Sequence, residues 1–161
     1  MAGATNGLTL GFRADANARI SKFTAVVQST ANPSTQSQQF AALPAAANAA
    51  GVLGVTIEHF VEPNYFVPQG TDPTTVTGST PVLYNLANRG LTLQVNGIAR
   101  CLAAGPINQG QLVNIADHFG RVKAVNESTG TTVYPVGMAL HNVTNANDVV
   151  QVELNFAQTK V

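Results

Sequence analysis

Charge is what this sequence has least of. Its 161 residues hold eight Lys and Arg and eight Asp and Glu, 10% of the chain, against roughly 25% in an average soluble domain. The net charge is zero, and no run of basic residues occurs. Counterion release from a phosphate backbone needs several basic groups close together. Arg13, Arg19, Lys22, Arg121 and Lys123 are too scattered for that, so neither nucleic acid nor an anionic membrane is an expected partner. Cysteine is nearly absent as well. The lone Cys101 excludes an internal disulfide and offers no Cys pair to a zinc ion. No stretch approaches the ~18–20 apolar residues that a membrane-spanning helix needs. Met1 to Asn6 lack the basic start and apolar run of a secretory signal. The chain is therefore expected to be made in the cytoplasm and to leave it only within a larger particle.

What is present is a core of ordinary size behind an amide-rich surface. A chain of this length buries roughly 68–70% of the surface its unfolded form exposes, so it needs no metal or disulfide to fold. Asn, Gln, Ser and Thr occupy the polar positions that charged residues usually take. Net charge keeps isolated monomers apart in solution. A neutral surface suits a protein that spends its life docked on others.

Strand patterns dominate. In Val150-Gln151-Val152-Glu153-Leu154-Asn155-Phe156 every second residue is apolar, the period of a half-buried strand. Leu91 to Val95 repeats the alternation, and Phe23 to Val27 is rich in β-branched and aromatic residues. Gly97 to Leu102 reads as a strand that stops at Gly105-Pro106. Gln111 to Ala116 and Arg121 to Val125 form a hairpin around Asp117-His118-Phe119-Gly120. Val136 to Leu140 is a further strand, whose Gly137 permits a bulge or tight bend. Val52 to Ile57 echoes it with Gly54; the shared need for a bend explains the echo without duplication. One short helix is expected over Pro44 to Ala50, with Pro in its first turn and Gly51 after it. Pro63 to Thr80 is a long loop, punctuated by Pro and Gly.

Short strands at this spacing predict an all-β fold, a small β-barrel or β-sandwich. Residues 1–18 are either the first strand or an extended N-terminal arm, because Leu8, Leu10 and Phe12 alternate among small and polar residues. An arm would add a strand to a neighbouring chain. Residues 19–161 form a single β domain carrying the loop at about 63–80.

The chemistry of catalysis is missing. His59, His118 and His141 have no metal-binding spacing. Ser79 is not in a nucleophile elbow. Cys101 sits in a strand pattern, where a packing thiol is the plain reading, although Arg100 beside it would lower the thiol's pKa if close. Gly105 and Gly110 have the spacing of a phosphate loop's glycines, yet Gln111 and Leu112 follow where Lys and Ser or Thr are required. Glu58 and Glu62 read as strand-edge charges. The sequons at Asn126 and Asn142 are chance matches in a chain without a secretory signal. No catalytic residue, cofactor site or metal site is expected.

The second half carries a resemblance. Gly97-Ile98-Ala99, then Gly105-Pro106-Ile107-Asn108-Gln109-Gly110-Gln111, then Gly120-Arg121-Val122, Val136-Gly137-Met138-Ala139-Leu140 and Val149 to Leu154 follow in order. This progression of turns and strands, over about Leu91 to Phe156, resembles the capsid decoration (cement) proteins of tailed phages. The chain departs from that pattern at Gln111, where such families usually have Asp, and Pro63 to Thr80 has no counterpart. The resemblance implies a β-tulip-like barrel and a homotrimer on the outer capsid surface of the virion. Its partner would be the major capsid protein, whose neighbouring subunits it bridges to stabilise the mature head. On that reading Leu8, Leu10, Phe12, Arg13 and Arg19 are the candidate protein–protein contacts. Two other readings compete. One is a tail, baseplate, head-fibre or adhesin component, which shares most of these features. The other is a small trimeric nucleotide hydrolase, which would need grouped acidic ligands that the scattered carboxylates do not supply.

Overall fold

The computed structural model describes residues 7–15, 20–31, 39–57 and 90–160. The loop expected at 63–80, together with Glu58, His59, Glu62, Ser79 and Arg19, lies outside them.

The first half forms a closed barrel. Its strands are β1 (Thr9–Ala14), β2 (Ala25–Gln28), β3 (Phe40–Ala42), β4 (Val52–Thr56) and β5 (Gly90–Gln94), in the order β1-β3-β2-β4-β5. β1 closes the ring by pairing antiparallel with β5, Leu10 opposite Leu93 and Phe12 opposite Leu91, and parallel with β3 on its other side. Phe12, Ala14, Ile20, Val26, Ala41, Leu91 and Leu93 fill the interior. Residues 9–14 are thus a barrel strand of their own chain, the first of the two alternatives open for the N-terminal residues, and not an extended arm. The reason is the inward row. Phe12 lies beside its pairing partner Leu91, and Phe12 and Ala14 share one buried cluster with Leu91 and Leu93; fully burying a side chain such as Phe or Leu contributes about 1.5–3 kcal/mol.

The second half is a sheet of β6 (Ile98–Leu102), β7 (Leu112–Ile115), β8 (Val122–Ala124), β10 (Pro135–Ala139) and β11 (Val149–Leu154), in the order β6-β11-β10-β7-β8. A small ribbon pairs β9 (Thr132–Val133) with β12 (Thr159–Lys160). The sheet curls until its edges nearly meet: Ala103 bridges Val122, and the Ala104 N–H donates to the Val122 carbonyl at 2.7 Å. β2 stands in the remaining gap. The Phe23 carbonyl accepts from the Leu102 N–H at 2.9 Å, and the Ala25 N–H donates to the Gly120 carbonyl at 2.8 Å.

β2 is therefore shared by two cores. Val26 points into the barrel, whereas Ala25 and Val27 join Val55 and the residues of the curled sheet, among them Cys101, Ile107, Val113, Ile115 and Val152. A strand with no solvent face reads as a continuous apolar run, which is how Ala25-Val26-Val27 reads.

Two glycines make the close approaches possible. Gly120 ends the β7–β8 turn with φ of 74°, and a Cβ there would lie 2.2 Å from the Ala25 carbonyl oxygen. A Cβ on Gly137 would lie 2.0 Å from the Glu153 oxygen, beside a register shift between Pro135 and Gly137. The β2–β4 pairing shifts register too, between Val26 and Val27. Both echoing segments thus belong to strand pairs that bend.

Two local expectations fail. No helix forms over Pro44 to Ala50; the segment is a run of bends and a turn. About two turns of helix are marginal alone, and Asn48 secures the alternative. It adopts φ of 51°, its N–H donates to the Ile115 carbonyl at 2.8 Å, its Nδ2 donates to the Thr132 carbonyl at 2.9 Å, and its Oδ1 accepts from the Tyr134 N–H at 3.0 Å. Phe23 is not in a strand. With φ of 65° it occupies a turn in which the hydroxyls of Thr24 and Thr56 both donate to the Ser21 carbonyl, at 2.7 and 2.6 Å. β2 starts two residues later than its β-branched pattern suggests.

Candidate docking surface

β1 carries one row of side chains from the barrel interior to its exterior. Ala14 is 0% and Phe12 6% exposed, whereas Leu10 is 44% and Leu8 58% exposed. The strand outruns β3, which pairs only with Arg13 and Ala14, but not β5. Leu10 still lies opposite Leu93, and Leu8 still accepts from the Val95 N–H at 2.9 Å. Val95 and Leu53, half-buried at the barrel cluster, belong to the same apolar inventory.

Among the residues singled out from the sequence, the structure therefore brings Leu8 and Leu10 together at the surface. It turns Phe12 inward, where it packs its own core and cannot serve as an external anchor. Arg13 lies on the opposite face of the strand, half-buried. Among the described residues, the remaining exposed large apolar side chains are Ile57, Ile98 and Met138. Ile98 and Met138 sit within strands whose alternation the sequence shows; their outward register only emerges from the pairing.

The polar groups serve the fold. Asp117 caps its turn by accepting from the N–H groups of Phe119 at 3.0 Å and Arg121 at 3.3 Å, and it receives the Arg121 guanidinium at 2.7 Å. Gln111, where the resemblance leads one to expect Asp, accepts from the Asn108 N–H at 2.7 Å and so holds its turn as a shorter carboxylate would. The buried Asn114 donates to Asn48 Oδ1 at 3.2 Å and to Glu127 Oε1 at 2.9 Å, and Lys123 Nζ donates to the same Glu127 oxygen at 2.9 Å. Burial works to raise the Glu127 pKa, but hydrogen bonds from Lys123, Asn114 and the backbone outweigh it and hold the carboxyl below its ordinary value. Cys101 is fully buried, and burial pushes its thiol up to about 12. Thiolate is the reactive form, so Cys101 is a packing residue. No group of three or more His, Cys, Asp or Glu that could hold a metal occurs among the described residues.

The architecture defined here is an all-β protein made of a closed barrel and a curled sheet. No protein-family model matches the sequence, and no curated protein sequence does. The fold is similar to the N base of the head fiber protein gp8.5 of bacteriophage phi29, with a TM-score of 0.55 and 11% identity, over 96% of this chain and 98% of that one.

Proposed function

We propose that this chain is a non-enzymatic structural protein of a tailed phage. It binds the outside of the capsid as a decoration (cement) protein, self-associates as a homotrimer and stabilises the mature head by bridging capsid subunits. The observation that carries this reading is the row of residues 8–14, which stays beside β5 but presents Leu8 and Leu10 to solvent at one end. Exposed apolar groups on a neutral chain favour a protein partner over a charged one. The progression of turns over Leu91 to Phe156 supports the decoration role. The fold likeness to a head-fiber base supports an outer-head location.

That likeness also favours a second reading, the base of a head fibre. The likeness covers both chains almost completely. Co-sedimentation with expanded shells of the capsid protein from the same genome tests both. Saturation at a fixed number per capsomer throughout the shell is the decoration result. Binding confined to a subset of capsomers is the head-fibre result. No binding to immature or expanded shells overturns both. Leu8→Ser with Leu10→Ser is expected to abolish binding while the chain stays folded.

A further inference from the structure

The barrel hands the chain to the curled sheet through one short turn. β5 ends at Gln94 and β6 begins at Ile98, with Val95, Asn96 and Gly97 between them. Gln94 is buried, and its side-chain Nε2 donates to the Asn96 carbonyl at 3.2 Å and to the Ile98 carbonyl at 2.7 Å. The backbone of the turn is thus held from inside, but its outer side is not. Gly97 turns with φ of 81°, and its N–H donates to no acceptor among the described residues. Asn96 is exposed, and among the described residues its side-chain amide makes no hydrogen bond. The other exposed asparagines differ. The side-chain amides of Asn126, Asn142, Asn145, Asn147 and Asn155 are hydrogen-bonded. Asn108 is followed by Gln109, whose N–H is already donated to Asn142 Oδ1 at 2.7 Å.

We infer that Asn96 is a site of spontaneous covalent modification, losing its side-chain amide in the folded protein to give aspartate and isoaspartate. The Gly97 nitrogen attacks Asn96 Cγ. A new N–C bond closes a cyclic imide, the Cγ–Nδ2 bond breaks, and the proton lost by the Gly97 nitrogen leaves with the departing ammonia. Water then opens the ring, at the side-chain carbonyl to give aspartate or at the main-chain carbonyl to give isoaspartate. One water enters and one ammonia leaves, with no change of oxidation state. The attack needs a peptide N–H that is not already donated, a side-chain amide that nothing holds, and no Cβ on the next residue to crowd the approach. Asn96 and Gly97 meet each condition. The consequence falls on the link between the two halves. In isoaspartate the main chain runs through the former side-chain methylene, which displaces the carbonyl that Gln94 holds. The buried Gln94 amide is then left with the Ile98 carbonyl alone, and a buried donor that loses its acceptor is costly. The product also adds a negative charge to a chain whose net charge is zero. The inference is independent of the capsid reading.

Peptide mapping of the folded full chain, aged in mildly alkaline buffer, tests it. Trypsin releases residues 90–100, in which Asn96 is the one asparagine. That peptide is expected to gain the mass of an amide-to-acid exchange, placed at residue 96 by fragmentation, and to accept methyl groups from an isoaspartyl methyltransferase. Peptides holding Asn108 or Asn142 are expected to stay unchanged over the same time, and Asn96→Gln to lose both signals. An amide that survives at 96 in the folded chain, while the same chain in urea loses it, overturns the inference. So does equal loss at Asn108 and Asn142. Freshly prepared Asn96→Asp carries the new charge on a native backbone and is expected to keep the native melting temperature. The isoaspartyl form, separated by ion exchange, is expected to melt lower; equal melting temperatures overturn the claim that the link is loosened.

Discussion

The two halves of the molecule are both β, yet only one of them is a closed ring. The curled sheet combines neighbours in sequence with distant strands, since β11 also pairs with β6 and β10 with β7. β7 and β8 form a hairpin, and β10 and β11 are consecutive strands that pair directly. The barrel also pairs consecutive strands, β2 with β3 and β4 with β5, but it is closed by a distant piece: β1 pairs with β5, 76 or more residues away, and with β3 in parallel. The difference teaches where each half keeps its specificity. In the sheet it lies in turns, with Asp117 and Gly120 setting one register and Gly137 another. In the barrel it lies in matched interior side chains, because nothing local holds Phe12 to Leu91.

If this contrast is right, breaking the seam between the halves has the largest effect. Gly120→Ala puts a Cβ into the Ala25 carbonyl at a backbone angle that disfavours any side chain, and it is expected to destabilise by about 3 kcal/mol or more in chemical denaturation. Gly11→Ala is the control, since a Cβ there meets nothing within 4 Å. Next come the two cores. Leu93→Ala in the barrel and Ile115→Ala in the sheet are each expected to cost about 2–5 kcal/mol. Because β2 belongs to both cores, each should lower a single calorimetric transition. Two separated transitions would show that the shared strand does not couple the halves.

A smaller effect is confined to the sheet. The Glu127 pKa is lowered in the fold, so its contribution is complete above the ordinary value of 4.5 and is lost as pH falls below it toward the folded value. Glu127→Gln is expected to flatten that part of the acid limb in melting temperatures measured between pH 3 and pH 7, while Leu93→Ala leaves its slope unchanged. The smallest effect on folding belongs to the exposed end of β1. Leu8→Ser with Leu10→Ser should change stability by no more than about 0.5 kcal/mol, and a larger loss would mean that these residues serve the barrel itself.

The sheet was the more legible half. Its alternating strands and its Asp-to-Gly turn are local signals, and Val150 to Leu154 or Gln111 to Val125 needed no knowledge of the rest of the chain. The barrel was legible as strands but not as a ring. Thr9–Ala14 has the same alternation whether it closes a barrel or reaches a neighbour, and only the inward pairing of Phe12 with Leu91 decides between them. The Pro44–Ala50 segment misled because alanine content describes an isolated helix, whereas Asn48 answers to Ile115, Thr132 and Tyr134 far along the chain. The candidate surface was half visible. Leu8 and Leu10 stood out by alternation; Ile98 and Met138 became a row only once Glu153 was seen between them.

The closure of the barrel by β1 and β5 also sets an order of events at the ribosome. Residues 9–14 emerge early, but their partner at 90–94 is translated much later, and the parallel strand at 40–42 covers only one side. Bringing such distant segments together is slow, because the entropy of the closed loop is lost before the contact is gained. During that interval Leu8, Leu10 and Phe12 are together in solvent on an unpaired edge, the exposure that promotes misassembly in nascent chains. The low charge of the sequence offers little repulsion to prevent it. Synthesis rate and chaperone supply should therefore govern the yield of this protein more strongly than its final stability does.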